Sequence, residues 1–335
     1  MINPKVISRI VANTDMKTKL RLAKVVPKLG KADEVTKCML CPNMCLHVCP
    51  VFDAERRLTV SPSVKARLAY FSDDATFDAI YHCLPCDACK NACPMDISVN
   101  DILRDARVKY TMDVAFKAAE KFEREVYKKA RRVEEREGRV LYFPGCRTFE
   151  GGLFDATVEV LEKLNFDFAL TDVICCGMPY YELGLYSKFK ARIDELKKVA
   201  SKYEGVVSNC PHCVWVMREN GIKASHILSV LNPVELGGDV SYHDPCILAR
   251  KLDIVDEPRK LLADMGFEVH EPLFSREDTH CCGYGGVYRF VAPDYAEKVA
   301  KRRRGHFEHE IVTACPSCKL ALKAKDIVEL VGEGL

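Results

Sequence analysis

The chain has 335 residues, 48% of them hydrophobic and 29% charged, with a formal net charge of +2. That length holds two or three domains with cores of their own. The near balance of charge excludes a protein built to bind nucleic acid or an anionic membrane by electrostatics alone.

Residues 1–33 read as one or two short helices that end at Pro27 and Gly30. Met1–Lys19 mixes charged with apolar residues and lacks the apolar core of a signal peptide. No run approaches the roughly 20 apolar residues of a spanning helix. The expectation is a cytoplasmic protein without a membrane span, held at most peripherally on the cytoplasmic face by a partner. A secreted disulfide framework is the competing explanation for 18 cysteines. Adjacent Cys-Cys pairs and repeated C-x-x-C spacings, with no export signal, suit metal better.

Residues 34–98 carry two quartets, Cys38-x2-Cys41-x3-Cys45-x3-Cys49-Pro and Cys83-x2-Cys86-x2-Cys89-x3-Cys93-Pro. Helices are expected between them at Val64–Phe71 and Ala75–Tyr81. In a two-cluster ferredoxin, three close cysteines hold one cubane and the fourth, followed by proline, crosses to the other. The expected ligand sets are therefore Cys38, Cys41, Cys45 and Cys93 for one cubane, and Cys83, Cys86, Cys89 and Cys49 for the second. The first quartet departs from the usual spacing by one residue between Cys41 and Cys45. Zinc also accepts four thiolates, but the paired Cys-Pro endings favour iron and sulfide.

From Val99 to about Glu137 the pattern predicts one long helix linking two halves of the molecule. Ala115, Ala119, Phe122, Val126, Ala130 and Val133 form its apolar stripe, and Gly138 stops it. The charges of Lys128–Arg132 read as a solvated face.

Beyond Gly138, short strand-like runs alternate with helices, which predicts α/β units with largely parallel strands. Strands are expected at Arg139–Pro144, Phe166–Val173, Val206–Asn209, Val240–His243, Phe267–His270 and Glu310–Ala314. Helices are expected at Phe154–Leu164, Lys188–Tyr203, Pro258–Met265 and Tyr295–Arg304. The region repeats itself. Cys146, Cys175-Cys176-Gly177 and Cys210-Pro-His-Cys213 are echoed by Cys246, Cys281-Cys282-Gly283 and Cys315-Pro-Ser-Cys318, at offsets of 100 to 106 residues. Expected boundaries are 1–33, 34–98, 99–138, 139–235 and 236–335.

Five thiolates exceed the needs of a tetrahedral zinc site. Loops at strand ends can gather all five on one edge of a parallel sheet, where α/β folds bind ligands. Gly177, Gly283, Gly285 and Gly286 would let the backbone approach such a group closely. The Gly283-x-Gly285-Gly286 run lacks the spacing of a dinucleotide loop. Each C-x-x-C follows a strand and opens a helix, as a thiol–disulfide exchange motif also does. His212, His243 and His280 adjoin cysteines and offer protons near neutral pH; packing is their plainer role. Trp215 reads as a shield against water. Arg147, Arg250 and Lys251 read as surface or as holders of an anionic substrate tail.

The five-cysteine arrangement resembles the cysteine-rich CCG domain of heterodisulfide reductase and related iron–sulfur oxidoreductases. A helical ferredoxin-like domain followed by two α/β, Rossmann-like CCG domains is similar to the D-type subunit, over residues from about 34 to 323. The resemblance implies two noncubane [4Fe–4S] clusters in addition to the two cubanes. One would use Cys146, Cys175, Cys176, Cys210 and Cys213, the other Cys246, Cys281, Cys282, Cys315 and Cys318. It further implies that these ten cysteines serve catalysis by cleaving a small-molecule disulfide, of the coenzyme M–coenzyme B type or an analogue. Electrons would come from a partner subunit, a membrane cytochrome b or a flavoprotein. Relatives in glycolate, lactate and glycerol-phosphate oxidation have lost cysteines from one motif, so two whole sets favour disulfide reduction. The alternative is an electron relay between a flavoprotein acting on a 2-hydroxy acid, or an electron-transferring flavoprotein, and quinone.

Overall fold

A computed structural model describes residues 15–16, 33–71, 78–127 and 133–335 of the chain. The helices expected in residues 1–33 lie almost wholly outside the described residues, as do the first half of the Ala75–Tyr81 helix and the Lys128–Arg132 face.

The N-terminal region is helical. Asp33 caps helix Glu34–Met39 by accepting the Thr36 N–H at 2.7 Å, the usual service of an aspartate at that position. Helix Pro62–Phe71 begins two residues before the expected start because Pro62 fits the first turn, where its missing N–H costs nothing. Asp78–Tyr81 forms a single 3₁₀ turn.

The long helix expected from Val99 is broken. Helix Val99–Lys109, capped by Ser98, ends at Tyr110, and a second helix runs Asp113–Phe122 before a π turn at Glu123–Tyr127. One tertiary and one local hydrogen bond hold the break. The Tyr81 hydroxyl accepts the Met112 N–H at 3.2 Å, and the Thr111 hydroxyl donates to the Arg107 carbonyl at 3.1 Å. The apolar stripe is real, with Ala115, Ala119, Phe122 and Val126 buried, but it packs against the rest of the molecule. Residues 133–137 are not helical; Arg136 instead bridges to Leu170.

Two parallel four-stranded sheets follow, built alike. The first has β1 (Val140–Tyr142), β2 (Phe168–Ala169), β3 (Val206–Ser208) and β4 (Ala224–His226) in the order β2-β1-β3-β4. The second has β5 (Gly238–His243), β6 (Phe267–His270), β7 (Glu310–Thr313) and β8 (Lys325–Asp326) in the order β6-β5-β7-β8. The chain thus contains a helical N-terminal region and two parallel-sheet α/β domains. The expected strands exist but several are shorter, most of all Phe166–Val173, of which only two residues pair. The edge strands β4 and β8 were not anticipated; three and two residues carry no readable alternation.

In each sheet the direction of winding reverses beside the first strand, so a crevice opens at the C-terminal ends of β1 and β3, and of β5 and β7. Open parallel sheets bind their ligands at such a switch point. The pieces interlock around it. Helix Ile327–Gly334, closed by a capping box between Asp326 and Glu329, packs on helix Leu153–Lys163 of the first domain. Helix Pro293–Arg304 packs on Pro50–Glu55 of the N-terminal region. Among the described residues no helix is long and apolar enough to cross a membrane.

Candidate metal centres

The ten late cysteines all emerge at the C-terminal edges of the two sheets. In the first domain Cys146 follows β1, Cys175 and Cys176 follow β2, and Cys210 caps the helix Pro211–Glu219 that follows β3. Proline in that helix's first turn fixes its start, and the helix N-terminus favours a thiolate there. Cys176 and Cys213 stand with their Sγ atoms 3.3 Å apart. Cys146 hydrogen-bonds to Cys175, and Cys210 to Cys213. Gly145 makes this gathering feasible. It sits at φ +75°, and a Cβ there would lie 3.2 Å from Cys213 Sγ, so only glycine brings the Cys146 loop onto the C-x-x-C.

The second domain repeats the plan. Cys246 Sγ lies 3.9 Å from Cys281 Sγ, and contacts continue from Cys281 to Cys282, Cys318 and Cys315. Gly283, at φ +91°, packs so tightly that a Cβ would stand 2.6 Å from the Ala296 carbonyl oxygen. Gly283→Ala is therefore expected to cost about 2–4 kcal/mol through clash and backbone strain and to displace the Cys281–Cys282 loop. Denaturant titration beside an iron count checks this; an unchanged midpoint would show that the loop has slack.

Cys38, Cys41, Cys45 and Cys93 line one small cavity, while Cys49, Cys83 and Cys86 line a second, and Cys89 borders both. Cys86 also reaches out of its quartet. The neighbouring Cys281 thiol is the chief cause that lowers its pKa to about 7. The two five-cysteine sets approach each other as well. A cavity of about 40 Å³ lined by Cys146, Cys176, Cys210 and Cys213 is completed by Gly286, Phe290 and Ser317 of the second domain and by Phe122.

The electrostatics fit soft, anionic thiolate groups. Burial pushes the Cys38, Cys45 and Cys49 thiols up to about 11, 12 and 11. Left alone they would stay protonated, so a cation must supply the charge that draws the proton off. Two buried cations fit that demand. Lys65 is 1% exposed, donates to the His82 carbonyl at 2.9 Å and has no carboxylate partner among the described residues. Burial disfavours its charge, yet Cys83, Cys49 and Cys89 hold its pKa above the ordinary value. Arg303, also 1% exposed, donates to the Leu273 and Phe274 carbonyls and to His243 Nδ1 at 3.3 Å. Burial lowers it to about 10, against the attraction of Asp244 and then Cys318, Cys282 and Cys281. Isolated buried cations are costly, and thiolates bound to metal are the compensating charge both face. The donor set fits iron–sulfur groups.

Of the histidines, His212 stands beside Cys210 and His243 beside Cys282, and in each case the histidine helps hold the thiol well below its usual range, after the hydrogen bonds from neighbouring cysteines. His280 stacks on Phe274 at 3.9 Å and borders a cavity of about 350 Å³ with His47, Cys49, Cys281, Arg302 and His306. Trp215 packs beside Tyr181 and beneath Lys251. Arg250 and Lys251 are committed to structure. Arg250 donates to the carbonyls of Cys86, Glu277 and Thr279, clamping the second quartet to the loop before Cys281, and Lys251 pairs with Asp87. Arg147 differs. It shares Glu150 with Arg289 and borders the small cavity, and its Nη2 has no hydrogen-bond partner among the described residues. Sequence reasoning missed Lys65, Arg289 and Arg303. Arg303 lies in an Arg302-Arg303-Arg304 run that looks solvated, and nothing local marks its burial.

Comparisons with known proteins agree with this construction. The cysteine-rich (CCG) domain family matches residues 140–218 and 240–323, and the 4Fe-4S dicluster domain family matches residues 34–97. The chain is thus similar to CCG-domain iron–sulfur proteins, with two copies of the cysteine-rich domain behind one 4Fe-4S dicluster domain. Among curated relatives, the B-type subunit of the fumarate reductase (CoM/CoB) of Methanothermobacter marburgensis is 25% identical over 338 residues, covering 87% of this chain and 68% of that protein. The D-type subunit of the dihydromethanophenazine:CoB–CoM heterodisulfide reductase of Methanosarcina barkeri is 28% identical over 242 residues, 58% of this chain and 59% of that protein. Lactate utilization protein A of Oceanobacillus iheyensis is 29% identical over 178 residues, 45% of this chain and 71% of that protein. No solved structure matches the chain.

Proposed function

We propose that the chain is the catalytic iron–sulfur subunit of a heterodisulfide-reductase-like complex that reductively cleaves a disulfide. In this reading Cys38, Cys41, Cys45 and Cys93 hold one cubane, and Cys49, Cys83, Cys86 and Cys89 hold the other, in a ferredoxin-like domain. The two five-cysteine sets hold two noncubane clusters. Bound there, such groups supply one-electron transfer and iron sites with an affinity for thiolate. The observation that carries the reading is that Gly286, Phe290 and Ser317, beside the cysteines of the second set, close the cavity lined by Cys146, Cys176, Cys210 and Cys213 of the first.

The residues divide the work accordingly. Arg250 joins the helical region to the second set by donating to the carbonyls of Cys86, Glu277 and Thr279. Phe122, Met178, Pro179 and Phe290 keep the small cavity apolar, which excludes water and suits an alkyl thiol. Two guanidiniums sharing one carboxylate leave a net positive charge at its rim, and Arg147 Nη2 is free to hold an acidic substrate tail. Each cleavage consumes one disulfide, two electrons and two protons and yields two thiols. The electrons come from a partner, a membrane cytochrome b or a flavoprotein, and the complex works in the cytoplasm or on that face of the membrane.

The likeness to lactate utilization protein A favours a second reading, in which the subunit only relays electrons from a flavoprotein oxidising a 2-hydroxy acid. Cluster content comes first. Four [4Fe–4S] groups require about sixteen iron atoms per chain, and anaerobic iron and sulfide analysis near eight would leave the five-cysteine sets without the groups assigned to them.

A further inference from the structure

We propose that Asp239, His270 and His309 form a separate divalent-metal site on the second sheet, for an ion of the zinc class. The register brings them together. β5 lies between β6 and β7; Asp239 is level with Glu268 and Ser241 with His270, while Val240 pairs with Glu310, which puts His309 beside Asp239. Residues level in a parallel pair point the same way, and alternation puts Asp239 and Ser241 on one face. All three side chains therefore share a face, toward the N-terminal ends of β5 and β7, whereas Cys246 and Cys315 emerge from the opposite edge.

The side chains converge more than packing requires. β6 and β7 are two strand spacings apart, roughly 9.5 Å. The imidazoles nevertheless lean inward over Asp239 until their ring centroids are 3.9 Å apart with a 20° interplanar angle. His270 Nε2 lies 2.8 Å from Asp239 Oδ1, and one ligand atom from each of the three residues lies within 4.8 Å of the others. Two nitrogens on a tetrahedral zinc stand about 3.4 Å apart, given bonds of roughly 2.0–2.1 Å. Modest side-chain rotation closes the difference. Asp239 accounts for the position of His270, but His309 has no hydrogen-bond partner among the described residues. Its stacking on a second imidazole gathers two nitrogen lone pairs and one carboxylate, a donor set that suits zinc and its neighbours better than calcium or magnesium. The side chains of His270 and Asp239 are 35% and 57% exposed, so water completes the coordination. An ion here would tie the three adjacent strands of the second sheet together.

The test uses the full chain, purified anaerobically with its clusters intact, equilibrated with micromolar free zinc and then desalted. Wild type is expected to retain one zinc per chain with its iron content unchanged. His309→Asn, which removes no hydrogen bond of the fold, should bind zinc at least tenfold more weakly at the same iron content. A His270→Ala/His309→Ala protein should retain none. Equal zinc in wild type and both variants would overturn the site, and so would zinc gained only as iron is lost, which would place it among the cysteines. Wild type that retains no zinc overturns it equally.

Discussion

Cys281→Ser and Cys175→Ser are each expected to lower disulfide reduction by at least a hundredfold, a loss of about 2.7 kcal/mol in transition-state stabilisation. The two domains share one cavity, and in the proposed reading each set holds one of the two sulfur products of a disulfide, so one intact set cannot hold both halves. Cys89→Ser provides the contrast. Cys89 borders both quartet cavities and lies away from the shared one, so its loss should slow electron delivery while chemically reduced protein still binds disulfide. Wild type mixed with a single thiol product should also give a new paramagnetic signal that both set variants lack. A pure relay predicts neither turnover nor a thiol-dependent signal. Silence in both assays across a broad panel of acidic disulfides, with all iron present, would transfer the assignment to the flavoprotein relay. Loss of substrate binding in Cys89→Ser with electron entry preserved would reverse the proposed direction of flow.

Arg107→Leu is expected to destabilise the protein by about 3–5 kcal/mol, the usual consequence of removing one partner from a buried ion pair. Arg107 is 0% exposed. Its Nε donates to the Ile80 carbonyl at 2.9 Å, and its Nη1 donates to the Glu182 carbonyl at 2.6 Å while lying 3.4 Å from the Glu182 carboxylate. It thereby joins the helical region just before the second quartet to the helix that follows Cys175 and Cys176. Leucine would leave two carbonyls and one carboxylate buried without their donor. Arg107→Lys keeps the charge but cannot reach both carbonyls, so an intermediate loss is expected. A denaturant midpoint unchanged in Arg107→Leu would mean that the two regions are held together by other contacts.

The sequence was most informative where chemistry is local. The spacing of each quartet, the Cys-Pro steps and the two echoing five-cysteine sets are short-range features, and backbone geometry converts them directly into loops and helix starts. The parallel α/β character of residues 139–335 was legible for the same reason, since short alternating runs record which faces are buried. Prolines at the first turns of Pro62–Phe71, Pro211–Glu219 and Pro316–Leu322 mark those helices unambiguously.

Other features depend on partners far away in the chain. The apolar stripe after Val99 predicted a continuous helix, because the Tyr81 hydroxyl that takes the Met112 N–H leaves no trace in its periodicity. Arg250 and Lys251 looked available for a substrate, but contacts with Cys86, Asp87 and Thr279 occupy them. Nothing local in the sequence marks Lys65 and Arg303, which packing buries beside thiols. By itself, then, the sequence determined which cysteines form each set and that the later half is a repeated α/β unit, because covalent spacing and local periodicity encode both. Only the tertiary structure decided that Arg250 ties Cys86 to the loop before Cys281, that Arg147 Nη2 has no partner among the described residues, and that Lys65 and Arg303 are buried near thiols. Those outcomes are set by long-range packing and by the need of buried charge for a counter-charge, and neither leaves a period in the chain.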